Sequence, residues 1–398
     1  MRMFVIGSSV ILSLLSTATW AQQTPPSSPG RGGRGGRGGT AAVRSVRSPE
    51  VGSDRRVTFR VLAPKANEVT LTGEFMEGTK SLEKDEKGLW SVTIGPLEPE
   101  IYYYYFNIDG VRAIDLANAK VKTGASAITI ESVLEVPGDG PVFYDGQDVP
   151  HGEVRTHWYE SKSLKALRRL TVYTPPGYDR NTKIRYPVVY LFHGANADET
   201  AWINLGHANL ILDNLLAANR ARPFIAVMPF GYGVPPGTGP APDAAAGPSA
   251  GTGPSDSISL FSRDLLEDVI PFIQSHYRAY IDRDHRAIIG LSMGGRQSLS
   301  IGLNHLELFS YVAGFSPGIP NVQTTFGNLV ANPKDTNQKL HLLWVGCGNK
   351  DGLFGAAKNF SAFLDEHKIK HTFRESTGAH TWINWRRYLN EVAPLLFQ

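Results

Sequence analysis

The chain has 398 residues, 41% of them hydrophobic, enough for one large core or two ordinary ones. Its single cysteine, Cys347, excludes an intrachain disulfide; at the end of an apolar strand it reads as a small packed hydrophobe. Net charge is +3, but six of the 40 basic residues lie within 1–47, which hold no acid. The remainder is slightly acidic, and nucleic-acid binding by the folded part is not expected.

Residues 1–21 combine Arg2, an apolar stretch from Met3 to Leu15, and the small-x-small site Thr19-Trp20-Ala21. They read as a secretory signal peptide cleaved after about Ala21, with an apolar core too short for a membrane span. Export without disulfides implies a bacterial protein that is periplasmic or secreted. Residues 22–47 are low-complexity and rich in Gly and Arg, and read as a flexible linker.

Residues 48–137 change character. Runs at 57–61, 69–72, 90–94 and 101–108 are β-rich, with turn signals such as Asp109-Gly110 between them. The spacing predicts a small all-β, immunoglobulin-like sandwich. Phe59-Arg60-Val61-Leu62-Ala63-Pro64, Gly88-Leu89-Trp90 and Tyr102–Tyr105 resemble the early-set, glycogen-binding-like modules attached to glycogen-branching enzymes and to some secreted esterases. The resemblance implies glucan or xylan binding through exposed aromatics, with Trp90 and the tyrosine run as candidates. Alternate residues of a strand face opposite sides, so half of the run should be core, and a structural spacer is the plainer expectation.

Residues 137–150 are turn-rich and lead into a second domain over 150–398. Strand patterns occur at 154–160, 170–173, 187–192, 224–228, 287–289, 311–314, 341–346 and 372–375. Helical patterns occur at 209–218, 261–277, 354–367 and 382–396. The alternation predicts a doubly wound, mostly parallel α/β sheet with its chemistry at the C-terminal ends of the strands. Residues 231–256, rich in Gly, Pro and Ala, predict a mobile loop.

Within this domain Ala287-Ile288-Ile289 leads into Gly290-Leu291-Ser292-Met293-Gly294, and a plausible helix follows. Strand, sharp turn and helix are the context of a nucleophile elbow, in which glycines let strand and helix pass closely and the helix N-terminus favours an oxyanion. A serine hydroxyl needs a base, and the base needs an orienting acid; in α/β-hydrolases these follow in the order Ser, Asp or Glu, His. Among the later histidines, His305 and His367 fall in or at the ends of helices, and His341 and His371 at strand starts. His380 alone occupies a loop after the last strand. Asp351, after the strand at 341–346, is the matching acid, and Glu375 is its rival. Met293 is the expected first N–H donor to the oxyanion. Ala195 or Gly194, in the His193-Gly194-Ala195 loop, is the second, with His193 holding that loop. No metal-ligand or phosphate-loop spacing is present, so no metal or cofactor is expected.

Arg169–Tyr178, Tyr190–Gly194, Gly290–Gly295 and Gly378-Ala379-His380-Thr381-Trp382 together resemble the esterase D-like family, nearest the feruloyl and acetylxylan esterases of carbohydrate esterase family 1. The resemblance covers about 150–398. It implies an α/β-hydrolase fold, a Ser292–Asp351–His380 triad, and ester-substituted xylan as the substrate. Trp202 and Trp382 are candidates to flank an aromatic acyl group. The long 231–256 segment departs from the compact members. The expectation is therefore a secreted serine esterase acting on feruloyl or acetyl esters of a polysaccharide, or on a small ester. The alternatives are a siderophore esterase of the enterochelin type and a carbohydrate-binding protein with an inactive esterase domain.

Overall fold

The computed structural model describes residues 46–122, 130–233, 254–319 and 321–398. The expected signal peptide, the linker up to residue 45, and 234–253 of the expected mobile loop lie outside the described residues.

The first part is built from β1 (Glu50–Val51), β2 (Val57–Leu62), β3 (Val69–Gly73), β4 (Lys80–Ser81), β5 (Glu83–Lys84), β6 (Leu89–Ile94), β7 (Glu100–Ile108), β8 (Val111–Ala113), β9 (Val121–Lys122) and β10 (Glu131–Val136). One sheet has the order β1-β2-β6-β5, and the other β4-β3-β7-β10-β9, with β8 on β7. Val57, Phe59, Val69, Leu71, Tyr102, Tyr104 and Phe106 fill the space between them. Alternation along β7 sends Ile101 and Tyr103 the other way, into a cluster with Trp202, Trp382 and Trp385 of the second part. Both faces of the tyrosine run are thus covered.

This corrects the expectation of an aromatic sugar platform. Tyr102, Tyr103 and Tyr104 are buried, and so is Trp90, whose indole N–H donates to Ala63 O at 2.9 Å. Tyr105 is half-buried, with the Arg112 guanidinium 3.6 Å from its ring centre. The run is apolar and aromatic because it packs two ways, once into the sandwich and once against the second part.

A buried ion pair closes that junction. Glu100 accepts from Arg386 at 2.8 Å and from Arg387 at 3.1 Å. Arg386, wholly buried, also donates to the Ile101 and Leu205 carbonyls.

The second part carries β11 (Glu153–Ser161), β12 (Ala166–Thr174), β13 (Val188–Phe192), β14 (Ile225–Pro229), β15 (Arg286–Leu291), β16 (Tyr311–Phe315), β17 (Leu342–Gly348) and β18 (Thr372–Ser376). They form one sheet in the order β11-β12-β14-β13-β15-β16-β17-β18. From β14 to β18 the neighbours are parallel. β12 is antiparallel to both β11 and β14. Only four residues separate β11 from β12, too few for a parallel crossover.

Alternate residues of β13 enter opposite cores. Val188, Tyr190 and Phe192 pack with Phe261, Leu265 and Leu299, while Val189 and Leu191 pack with Ile211, Leu212 and Leu389. Helices thus cover both faces, which is why the central strands are apolar throughout. The helix expected from 261 begins at Pro254. The short helices Val322–Thr325, Gly327–Ala331 and Pro333–Lys339, which lack apolar periodicity, were not expected from the sequence.

Candidate active site

β15 ends at Leu291, and the helix Met293–Asn304 begins two residues later. Ser292 makes the turn alone, at φ 53° and ψ −115°, a conformation costly for any side chain and characteristic of functional positions. Its N–H donates to Phe315 O at 2.7 Å on the neighbouring strand. The flanking glycines are required by contact. A Cβ on Gly290 would lie 2.4 Å from the Gly294 backbone, and one on Gly294 would lie 2.4 Å from His193 O.

His380 lies in the loop between β18 and the helix Trp382–Val392. Its Nε2 is 2.9 Å from Ser292 Oγ, and its Nδ1 is 2.9 Å from Asp351 Oδ2. Asp351 follows β17 and is buried; its Oδ1 accepts the Leu353 N–H at 2.8 Å. Burial alone would raise this carboxyl. The bonds from His380, from the Leu353 N–H and from the Ser316 hydroxyl outweigh it and hold the group below the ordinary aspartate value. A carboxylate beside Nδ1 keeps the proton on that nitrogen and leaves Nε2 free to accept one from Ser292. An imidazole between hydroxyl and carboxylate can make a serine nucleophilic.

The other histidines considered as bases are engaged elsewhere. His305 meets Glu307, His341 meets Tyr311, His367 meets Phe363 O, and His371 meets Ser361. Glu375 lies on β18, paired in register with Cys347.

Gly194 sits against the elbow: a Cβ there would come within 3.3 Å of Ser292 Cβ. Ala195, the next residue, is exposed. The N–H groups of Ala195 and Met293 have no partner among the described residues. Burial drives His193 down to about 4, so it is neutral. Its Nδ1–H then donates to Gly194 O at 2.7 Å, and its Nε2 accepts the Gly231 N–H at 2.8 Å. Gln297 completes the tie by donating to Gly231 O at 2.6 Å. His193 thus braces the 193–195 loop against residues 230–232.

Trp202 and Trp382 are not displayed to a substrate, which corrects the expectation that they flank an acyl group. They are 1% and 5% exposed, and their ring centres are 5.2 Å apart, edge to face. The Trp202 indole donates to Phe192 O at 2.9 Å, so the ring pins the end of β13 from within the core.

Two supporting residues escaped the sequence reading. Ser316, at φ 48° just after β16, reaches the Asp351 carboxylate, and Trp385 donates to the Ser316 hydroxyl at 3.0 Å. The Trp385 ring also stands edge-on to His380, with centres 4.9 Å apart. Nothing in the local sequence signals a positive φ at Ser316. Cys347 is buried near the same carboxylate, and burial and that charge push its thiol up to about 12, leaving it unreactive.

Known proteins share this arrangement of elements. A family model described as Esterase matches residues 161–396. A protein of Xylanibacter ruminicola named endo-1,4-beta-xylanase/feruloyl esterase is 33% identical over 357 residues, covering 88% of this chain and 46% of its own length. The chain thus spans about half of that relative. A solved ferulic acid esterase is 26% identical with a TM-score of 0.52, covering 61% of this chain and 97% of its own. The enterobactin esterase of Shigella flexneri reaches a TM-score of 0.61 at 18% identity, covering 85% of this chain and 92% of its own; this likeness shows the α/β-hydrolase fold with a β-rich part in front of it.

Proposed function

The chain belongs to the Esterase family, and from that premise we propose that it is a serine carboxylic ester hydrolase acting on feruloyl esters of xylan. The observation that carries the proposal is His380 within 2.9 Å of both the Ser292 hydroxyl and the Asp351 carboxylate. The substrate is inferred from the printed activities of the relatives, a xylanase/feruloyl esterase and a ferulic acid esterase.

In this reading Ser292 Oγ attacks the ester carbonyl while its proton passes to His380 Nε2. The carbonyl electron pair moves onto oxygen, which the N–H groups of Met293 and of Ala195 or Gly194 receive. Collapse breaks the bond to the sugar oxygen, which takes the proton from His380, and an acyl-Ser292 remains. Water then adds to the acyl carbon, giving its proton to His380, and the acid leaves as the serine is restored. Asp351 orients the imidazole and stabilises its charged form. Residues 1–21 direct export, residues 22–47 tether the folded part, and the sandwich serves as a structural partner of the catalytic part.

Hydrolysis of methyl ferulate, followed by absorbance beside an acetylated sugar, tests the substrate class. Ferulate release with kcat/KM well above that for the acetyl ester is expected. Preference for the acetyl ester would move the assignment to acetylxylan, and inactivity on both would defeat it.

A further inference from the structure

Arg296 lies in the first turn of the helix Met293–Asn304, and its N–H donates to Ser292 O at 3.0 Å. Residues 294, 295, 297, 298, 299, 301, 302 and 303 of that helix are buried. The open side carries Met293, Arg296, Ser300 and Asn304. Side chains of a helix lean toward its N-terminus and cover the turn before their own Cα. Arg296 therefore leans back over the elbow, toward Ser292.

Its surroundings differ from those of other arginines that lose solvent. Arg168 faces Asp264 at 3.1 Å, and Arg386 faces Glu100 at 2.8 Å. Arg286 donates to the Leu308 and Ile281 carbonyls. Arg296 is half-buried, yet among the described residues it has no hydrogen bond, ion pair or ring partner for its guanidinium. Burial alone acts on it and lowers its affinity for the proton. A cation that has lost part of its water with nothing in return is poised for an anion supplied from outside. The planar fork of a guanidinium matches a carboxylate through two parallel hydrogen bonds.

We propose that Arg296 is a carboxylate-binding residue at the mouth of the esterase site, receiving either a uronate substituent on the polysaccharide or the carboxylate of the released acid. The inference rests on the ester-hydrolase reading, and its test separates the two.

Two measurements on wild type, Arg296→Gln and Arg296→Lys distinguish the sources. The first compares KM for feruloylated xylo-oligosaccharides with and without a uronic acid substituent. The second measures ferulate binding by calorimetry, in the Ser292→Ala background, where no turnover is needed. If the uronate is the ligand, Arg296→Gln shifts the KM ratio of acidic to neutral oligosaccharide about tenfold against the acidic one, and Arg296→Lys restores part of it. If the released acid is the ligand, Arg296→Gln weakens ferulate about tenfold instead. A KM ratio and a ferulate affinity both within about twofold of wild type would overturn the proposal. Failure of the wild type to hydrolyse either oligosaccharide would count against the feruloyl-xylan reading of the proposed function alone, since ferulate binding is read independently.

Discussion

Trp385 donates its indole N–H to the Ser316 hydroxyl at 3.0 Å, and that hydroxyl reaches the Asp351 carboxylate. The hydroxyl that helps hold the acid of the site below the ordinary aspartate value is thus itself fixed by an indole of the helix Trp382–Val392. A hydrogen bond to a charged group contributes about 1.5–3 kcal/mol. Trp385→Phe and Ser316→Ala should each lower kcat on a soluble ester by about tenfold to a hundredfold with little change in KM. An unchanged kcat in both variants would remove these residues from the account of the site.

Gly290 and Gly294 hold the strand and helix of the elbow in contact, with no room for a Cβ at either position. The neighbouring atoms are backbone, which cannot rotate away. Gly294→Ala should cost at least about 1–3 kcal/mol of stability and remove most activity. Denaturant unfolding and an ester assay on the same preparation check both.

The buried pair of Glu100 and Arg386 joins the sandwich to the catalytic part. Removing Arg386 leaves the buried Glu100 carboxylate with only the partly exposed Arg387, a loss of up to about 3–5 kcal/mol. Arg386→Met should therefore destabilise strongly. The Arg386→Met/Glu100→Gln double variant should recover part of the loss, because the one charge left without its partner, Arg387, is partly exposed. Equal stability of the single and double variants in denaturant titrations would contradict this.

Glu74, in the turn after β3, is pushed up to about 7 by burial, against the Tyr103 N–H and the charge of Lys122. The folded state therefore holds a proton that the unfolded chain, at an ordinary 4.5, has lost. Stability falls as pH rises between those two values and stays reduced above. Glu74→Gln should gain thermal stability over wild type at pH 8 and gain little at pH 5. An equal difference in Tm at both pH values would refute the sign.

Much of this was legible from residue order. Ser292, Asp351 and His380 could be picked because each follows a strand and lies in the order the fold requires, and the structure brings the three together. The apolar runs of the central sheet were equally plain, since burial on both faces leaves no alternation to misread. What escaped depended on contacts between distant segments. Alternation marks half of the tyrosine run as core, but not that the other half, Ile101 and Tyr103, meets the helix that carries Trp385. Trp202 and Trp382 likewise pack on each other, a pairing no spacing reveals. Ser316 acts through a backbone angle that a serine rarely adopts. Arg296 stands out only because its potential partners can be seen to be absent among the described residues.

The central claim is that Ser292 carries the acyl group through the reaction. Rapid-quench intact-protein mass spectrometry with methyl ferulate, followed by peptide mapping, tests it most directly. The expected result is a transient gain of one feruloyl group on the peptide containing Ser292, absent in Ser292→Ala, whose turnover falls on the order of a millionfold. Ferulate release at a wild-type rate by Ser292→Ala, or an acyl group mapped to another residue, would contradict it.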